Sequence, residues 1–270
     1  MHLEVDLKTV TSKDGTMIAY DQSGKGPAVI LVDGALQYRA FDQGMAQLAE
    51  LLSPHFTVIH YDRRGRGDST DTPPYAIERE IEDIEALVDA SGGIASLYGI
   101  SSGAALAMEA ALALDGRIRK LAMYEPPYND DQAARQAWRS YTTQLEKLLA
   151  EGRKGDAVGL FMMYVGMPED QLEGMRQHPM WPVWEAVGQT LSYDHTAILG
   201  EDGSIPVQQA ARVNMPTLIM NGSESFPFMY ETAKTLTKAM PHARHRTLQG
   251  QTHEVSSEAL APVLIEFLSS

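Results

Sequence analysis

The chain contains no cysteine, which excludes disulfides, thiolate metal sites, iron–sulfur clusters and a cysteine nucleophile while leaving the redox compartment undetermined. Basic residues are scarce: 22 Lys and Arg stand against 36 Asp and Glu, a formal net charge of −14. A surface of that sign repels phosphate backbones and anionic headgroups, so neither nucleic acid nor a membrane surface is expected as a partner. A small neutral substrate fits better, and the composition leaves the oligomeric state open. No apolar run approaches the roughly eighteen residues that a spanning helix needs. The opening MHLEVDLKTV carries charged residues within its first eight positions and lacks a continuous apolar segment followed by a small-residue cleavage site. The expectation is an uncleaved, cytoplasmic chain whose chemistry comes from serine, histidine and carboxylates.

What the sequence does contain is an alternation. Short β-rich runs at 17–21, 28–32, 57–61, 95–100, 120–124, 217–221 and 244–248 are separated by helical patterns. Ile77, Ile81, Ile84, Leu87 and Val88 recur at helical spacing, and 104–114 is rich in Ala and Leu. Several of the strands are unbroken apolar runs, as expected where both faces are buried. Together these predict an α/β fold with a mostly parallel sheet flanked by helices. A last helix is expected over 258–268, with Ser256 or Ser257 as N-cap and Pro262 tolerable only near its first turn.

The rhythm breaks between Pro126 and about Pro206, where no convincing strand occurs. All three tryptophans (Trp138, Trp181, Trp184) and five of the fourteen methionines (Met162, Met163, Met167, Met175, Met180) lie in this stretch. Residues 1–125 and 207–270 are therefore assigned to a core, and 126–206 to an inserted helical cap over a pocket. The same aromatics and methionines equally suit a small core of the cap's own.

The most informative segment is Gly99-Ile100-Ser101-Ser102-Gly103, a G-x-S-x-G placed where a buried strand turns into an Ala-rich helix. A tight turn there strains the serine backbone, and the flanking glycines remove side chains that would collide across it. Ser101 then projects from the sheet, and the helix aims its N-terminal amides at the same spot. The plainer alternative is an ordinary N-cap serine. A serine hydroxyl needs a base within hydrogen-bond reach, and His253 follows the 244–248 strand by a short polar loop that returns to the same carboxyl edge. His55, His60, His242 and His245 sit in or beside strands or on the surface and read as structural. His178 and His195, in the insertion, show no metal spacing such as HExxH. No metal site is expected.

These features resemble the α/β-hydrolase fold superfamily, and the similarity runs from Val29 to Leu268. Besides the serine turn, it is carried by Asp33-Gly34-Ala35, by Tyr61-Asp62-Arg63-Arg64-Gly65-Arg66-Gly67-Asp68-Ser69 and by the His253 loop. The Arg66-Gly67-Asp68 tripeptide is structural on this basis. The resemblance implies an oxyanion hole from the backbone N–H groups of Ala35 and Ser102. Gly34 and Leu36, with Trp138, Met162, Met163, Trp181 and Trp184, are candidates for contact with substrate. The chain departs from the family's frequent His-Gly pair, because Asp33 stands in the histidine's place. An ionised carboxylate aimed at the oxyanion would oppose catalysis, so Asp33 is expected to point away or be paired.

The larger departure concerns the acid of the triad. Most relatives place an Asp where this chain has Ser225, and serine cannot stabilise an imidazolium as a carboxylate does. Glu125, ending the 120–124 strand at the same sheet edge, is the preferred replacement, with Pro126 expected to hold it extended. Glu224, one position before the usual site, competes with it. The resemblance then implies a serine hydrolase of ester-type bonds acting through an acyl-enzyme, with Ser101, His253 and Glu125 catalytic and no organic cofactor. A lactonase, a carbon–carbon bond hydrolase, a cofactor-free peroxidase and a non-catalytic ligand-binding member are the alternatives.

Overall fold

The computed structural model describes residues 7–270; most of the N-terminal segment read above as uncleaved lies outside the described residues. Eight strands form one sheet: β1 (Lys8–Thr11), β2 (Met17–Ser23), β3 (Ala28–Val32), β4 (Thr57–Tyr61), β5 (Ala95–Ile100), β6 (Ile118–Tyr124), β7 (Thr217–Gly222) and β8 (Ala243–Leu248). Their spatial order is β1-β2-β4-β3-β5-β6-β7-β8. β1 and β2 are antiparallel to each other, β2 is antiparallel to β4, and every other pairing is parallel. The α/β expectation therefore holds, whereas β1, a short and largely exposed edge strand, carries no apolar run and was not anticipated.

Alternate residues of the central strands supply opposite faces. Ile30 and Val32 join Leu97, Leu121 and Met123 in one core, whereas Val29 and Leu31 join Tyr98, Ala122 and Tyr124 in the other. The first face is covered by α2 (Ile77–Ala90) and α3 (Ser102–Ala113), the second by α1 (Gln43–Leu52) and α10 (Ser257–Ser269). Both faces being covered explains the unbroken apolar runs. α10 is capped by Ser256, whose side chain accepts from the Ala259 N–H. Pro262 sits within this helix and not at its first turn, a correction to the sequence expectation. Its missing N–H would have paired with the Glu258 carbonyl, and both residues are exposed, so the lost bond falls on the solvent side of the helix.

Between β6 and β7 the chain forms α4 (Gln132–Ala150), α5 (Lys154–Tyr164), α6 (Glu169–Arg176) and α7 (Trp181–Val187), a 3₁₀ turn at Gly188–Thr190, a π-helical turn at Tyr193–Ile198 and the short α8 (Val207–Ala210). Trp138, Tyr141, Leu145, Val158 and Trp181 belong to the same buried cluster as the first sheet face. The insertion is thus continuous with the main core and does not have a separate one. β7 leads through α9 (Pro227–Ala239) to β8. Among the described residues no helix is long and apolar enough to cross a membrane.

Candidate active site

Adjacent strand tips place Ser101 beside Glu125, and the loop after β8 brings His253 to Glu125. Ile100 of β5 pairs with Tyr124 of β6, and Tyr124 with Met220 of β7. Ser101 and Glu125 each extend that register by one residue, the Ser101 N–H donating to the Tyr124 carbonyl at 2.9 Å and the Glu125 N–H to the Met220 carbonyl at 3.0 Å.

Ser101 adopts φ +56°, one of three non-glycine residues in the left-handed region among those described, and its side chain makes no capping bond to α3. That excludes the plain N-cap role and leaves a strained turn between β5 and α3. The flanking glycines are sterically required. A Cβ on Gly99 would lie 2.4 Å from the Gly103 carbonyl oxygen, and one on Gly103 would lie 2.3 Å from the Val32 carbonyl oxygen.

Glu125 also has a positive φ, +46°, so the extended conformation expected ahead of Pro126 is not what forms. The peptide N–H completes the ladder to β7 before the backbone turns away from extended geometry. The carboxylate is fully buried. It accepts from the Gly222 N–H at Oε1 (2.8 Å) and from the Ser225 hydroxyl at Oε2 (2.8 Å), and His253 Nδ1 lies 2.7 Å from the same Oε2. Because a carboxylate offers only acceptors, this contact places the ring proton on Nδ1 and leaves Nε2 as an acceptor. His253 itself is about one-third exposed, while Glu224 is exposed and bonds through its backbone N–H to the Gln251 carbonyl. Of the two candidate acids, the structure brings Glu125 to the histidine. The His253 loop is tied down by the Tyr124 hydroxyl, which donates to the Thr252 carbonyl.

The segment after β3 approaches the serine from the other side. A Cβ on Gly34 would lie 3.2 Å from Ser101 Cβ. The Gly34 N–H donates to Gln37 Oε1 (2.9 Å), and Leu36 takes φ +62° as the chain turns. Asp33 is buried and paired, its Oδ2 lying 3.0 Å from His60 Nε2. Burial pulls the His60 pKa down, but the charge and hydrogen bond of Asp33, helped by Asp42 and Asp62, outweigh it, and the net shift is upward. A raised histidine contributes stability that is full below its unfolded value near about 6.5 and is lost as pH climbs through the folded value. Asp33→Asn is accordingly expected to destabilise by about 1 to 3 kcal/mol at pH 6 and by much less at pH 9. Urea melts of both proteins at the two pH values check this; a difference that is flat or grows with pH contradicts it.

Sequence reasoning missed the buried arginines around this segment. Arg63, Arg64 and Arg66 are at most 1% exposed. Arg63 and Arg66 both bind Asp194 of the insertion, at 2.5 Å each, and Arg63 also makes a bidentate pair with Glu80. Arg66-Gly67-Asp68 is accordingly structural, with Asp68 bonded to Arg39 at 2.9 Å. Burial raises the Asp194 pKa, but the two guanidiniums overcome this and hold it down at about 2. Beside it His195, also buried and 2.7 Å from the Tyr141 hydroxyl through Nδ1, is lowered to about 4 by burial. It stays neutral and packs against Trp138, Tyr141 and Phe161.

Of the insertion residues singled out from sequence, Trp138, Met162 and Trp181 are buried in its packing, and the Trp138 indole N–H donates to the Gly200 carbonyl. Met163 and Trp184 are half-buried, Trp184 standing edge-on to Phe41 in the segment that follows Leu36.

A model of the alpha/beta hydrolase family matches residues 29–262. The chain belongs to this family. A crystal structure of an alpha/beta hydrolase from Sphaerobacter thermophilus DSM 20745 is 52% identical and superposes with a TM-score of 0.86, over 97% of this chain and 100% of that one. Two curated relatives named zearalenone hydrolase are similar at lower identity. The one from Bionectria ochroleuca is 26% identical over 183 residues, 65% of this chain and 67% of that protein. The one from Cladophialophora bantiana is 24% identical over 241 residues, 77% and 89% respectively. With hydrolases among its relatives, this chain is an enzyme of the alpha/beta hydrolase class.

Proposed function

We propose that this alpha/beta hydrolase cleaves ester-type bonds of small, neutral, hydrophobic substrates through an acyl-enzyme on Ser101. The observation that carries the proposal is the 2.7 Å contact of His253 Nδ1 with a fully buried Glu125, which leaves Nε2 as the base on the sheet edge that also bears the strained Ser101 turn. In the first half-reaction the Ser101 hydroxyl oxygen attacks the carbonyl carbon while Nε2 takes its proton. The resulting oxyanion accepts from the backbone N–H groups of Ser102 and Ala35. Collapse expels the alcohol, which takes the proton from Nε2, and water repeats the sequence on the acyl group. Throughout, Glu125 orients the ring and stabilises the imidazolium, and no metal or organic cofactor enters.

Gly34, Leu36, Met163 and Trp184 are assigned to the substrate-facing side, with Trp138, Met162 and Trp181 packed behind them. The pliable methionine favours an irregular apolar group. The relatives named for zearalenone make that compound a fitting member of a hydrolysis screen over acyl chain lengths and lactones.

A fluorophosphonate probe tests the proposal. One probe per chain is expected on Ser101, with parallel loss of esterase activity, and none on the Ser101→Ala variant. A folded wild-type protein that resists the probe and hydrolyses no ester or lactone overturns it and points to a binding protein.

A further inference from the structure

Three backbone groups of the Asp33-Gly34-Ala35 turn are already committed to protein partners, while Asp33 Oδ1 has no hydrogen-bond partner. The Asp33 carbonyl accepts from Arg63 Nη1 at 3.2 Å and the Gly34 N–H donates to Gln37 Oε1, so both ends of that peptide are held. In the next peptide the Gly34 carbonyl accepts from Arg66 Nη1 at 2.5 Å. The one cis peptide among the described residues is Pro73–Pro74, so the Gly34–Ala35 peptide is trans and its N–H points opposite to its carbonyl. Anchoring the carbonyl therefore aims the Ala35 N–H, and a cationic donor on the oxygen makes that N–H a stronger donor in turn.

Arg66 is itself held from the insertion. Its Nη2 donates to Asp194 Oδ2 at 2.5 Å and its Nε to Thr190 Oγ1 at 3.1 Å, with both partners buried and more than 120 residues away in the chain. The second Asp194 oxygen takes Arg63 Nη1, whose other contact is the Asp33 carbonyl. One carboxylate of the insertion thus fixes both arginines that grip the turn.

We propose that Arg66 and Asp194 are positioning residues for the oxyanion hole: Asp194 holds the Arg66 guanidinium on the Gly34 carbonyl, and this sets the direction and donor strength of the Ala35 N–H. The inference rests on the oxyanion role proposed for Ala35 above. It differs in sign from a purely through-space effect. Asp194 is an anion near a developing oxyanion, so neutralising it would speed the reaction if only its field mattered, whereas releasing Arg66 slows it.

The test is Asp194→Asn in the full chain, with active sites counted by fluorophosphonate so that misfolded protein drops out. Loss of one whole oxyanion donor typically costs 10²- to 10³-fold in turnover, so loosening one is expected to lower kcat per labelled site by roughly tenfold. KM should stay within about twofold, because the donor acts mainly on the transition state. Affinity for a trifluoromethyl ketone, whose serine adduct places an oxyanion in the hole, should fall by the same factor as kcat. Thr190→Val removes one tether of Arg66 without changing shape and should show a smaller loss in the same direction; it carries the test if the Asn variant does not fold. A kcat that is unchanged or raised, a loss confined to KM, or a fall in kcat with ketone affinity intact each overturns the inference. Wild-type protein that neither labels nor hydrolyses overturns the ester-hydrolase proposal itself.

Discussion

Glu125→Gln is expected to lower turnover by about 10⁴-fold with little change in melting temperature, whereas Glu224→Gln stays within about twofold of wild type. The reason lies in the three donors converging on Glu125: the Gly222 N–H on one oxygen, the Ser225 hydroxyl and His253 Nδ1 on the other. An amide has one acceptor oxygen. The Gly222 N–H cannot rotate away, so it claims that oxygen and the amide NH₂ faces Nδ1, while Ser225 can turn its hydroxyl to accept. The ring must then carry its proton on Nε2, where it can no longer take the serine's. Since the Ser225 oxygen already contacts the atom that meets Nδ1, an aspartate there lies within reach of the same nitrogen. Glu125→Gln combined with Ser225→Asp is expected to recover part of the lost turnover. Steady-state kinetics on one ester decide the matter, and an enzyme that survives the change at 125 but not at 224 refutes the assignment of the acid.

Gly103→Ala is expected to cost about 3 kcal/mol or more, a fall in melting temperature of roughly 6 to 12 °C for a chain of this size. The added Cβ would stand 2.3 Å from the Val32 carbonyl oxygen and 2.4 Å from that of Asp33. Both obstacles are backbone at the tip of β3, so no side chain can swing aside, and either α3 or the Asp33 turn must move. Gly174→Ala is the control. That glycine lies in the exposed α6 with nothing within 4 Å of a Cβ, and the same added methyl should stabilise by up to about 1 kcal/mol. Paired thermal melts check the contrast; equal shifts in both variants would show that the packing at Gly103 is looser than described.

The sheet and the meeting of Glu125 with His253 were legible because each depends on local pattern. Unbroken apolar runs mark strands covered on both faces, and G-x-S-x-G at a strand–helix junction marks a tight turn at the serine. Glu125 could be placed beside the histidine because Ser225 lacks a carboxylate and Glu125 ends the strand beside β5. That Ser225 would donate to Glu125 was not inferred, although its substitution in the usual acid position was the available signal. The backbone at Glu125 was misjudged because local proline statistics yielded to the bonds its carboxylate makes. Asp194 was out of reach for a different reason: its arginine partners lie 131 and 128 residues away, and nothing in the surrounding sequence distinguishes it from a solvated aspartate. Likewise β1 is an edge strand with little to bury, so no hydrophobic signal announces it.

The continuity of the 126–206 segment with the sheet's own packing bears on how this protein could be re-engineered. A lid that merely rests on a barrel of strands can be exchanged between homologues to transplant substrate preference. Here a foreign lid would strand two arginine cations in a dry interior and strip aromatic neighbours from α3, so chimaeras should fail to fold before selectivity can be compared. On the proposal above, preference is better redirected by point changes at half-buried Met163, which lies outside that shared interior.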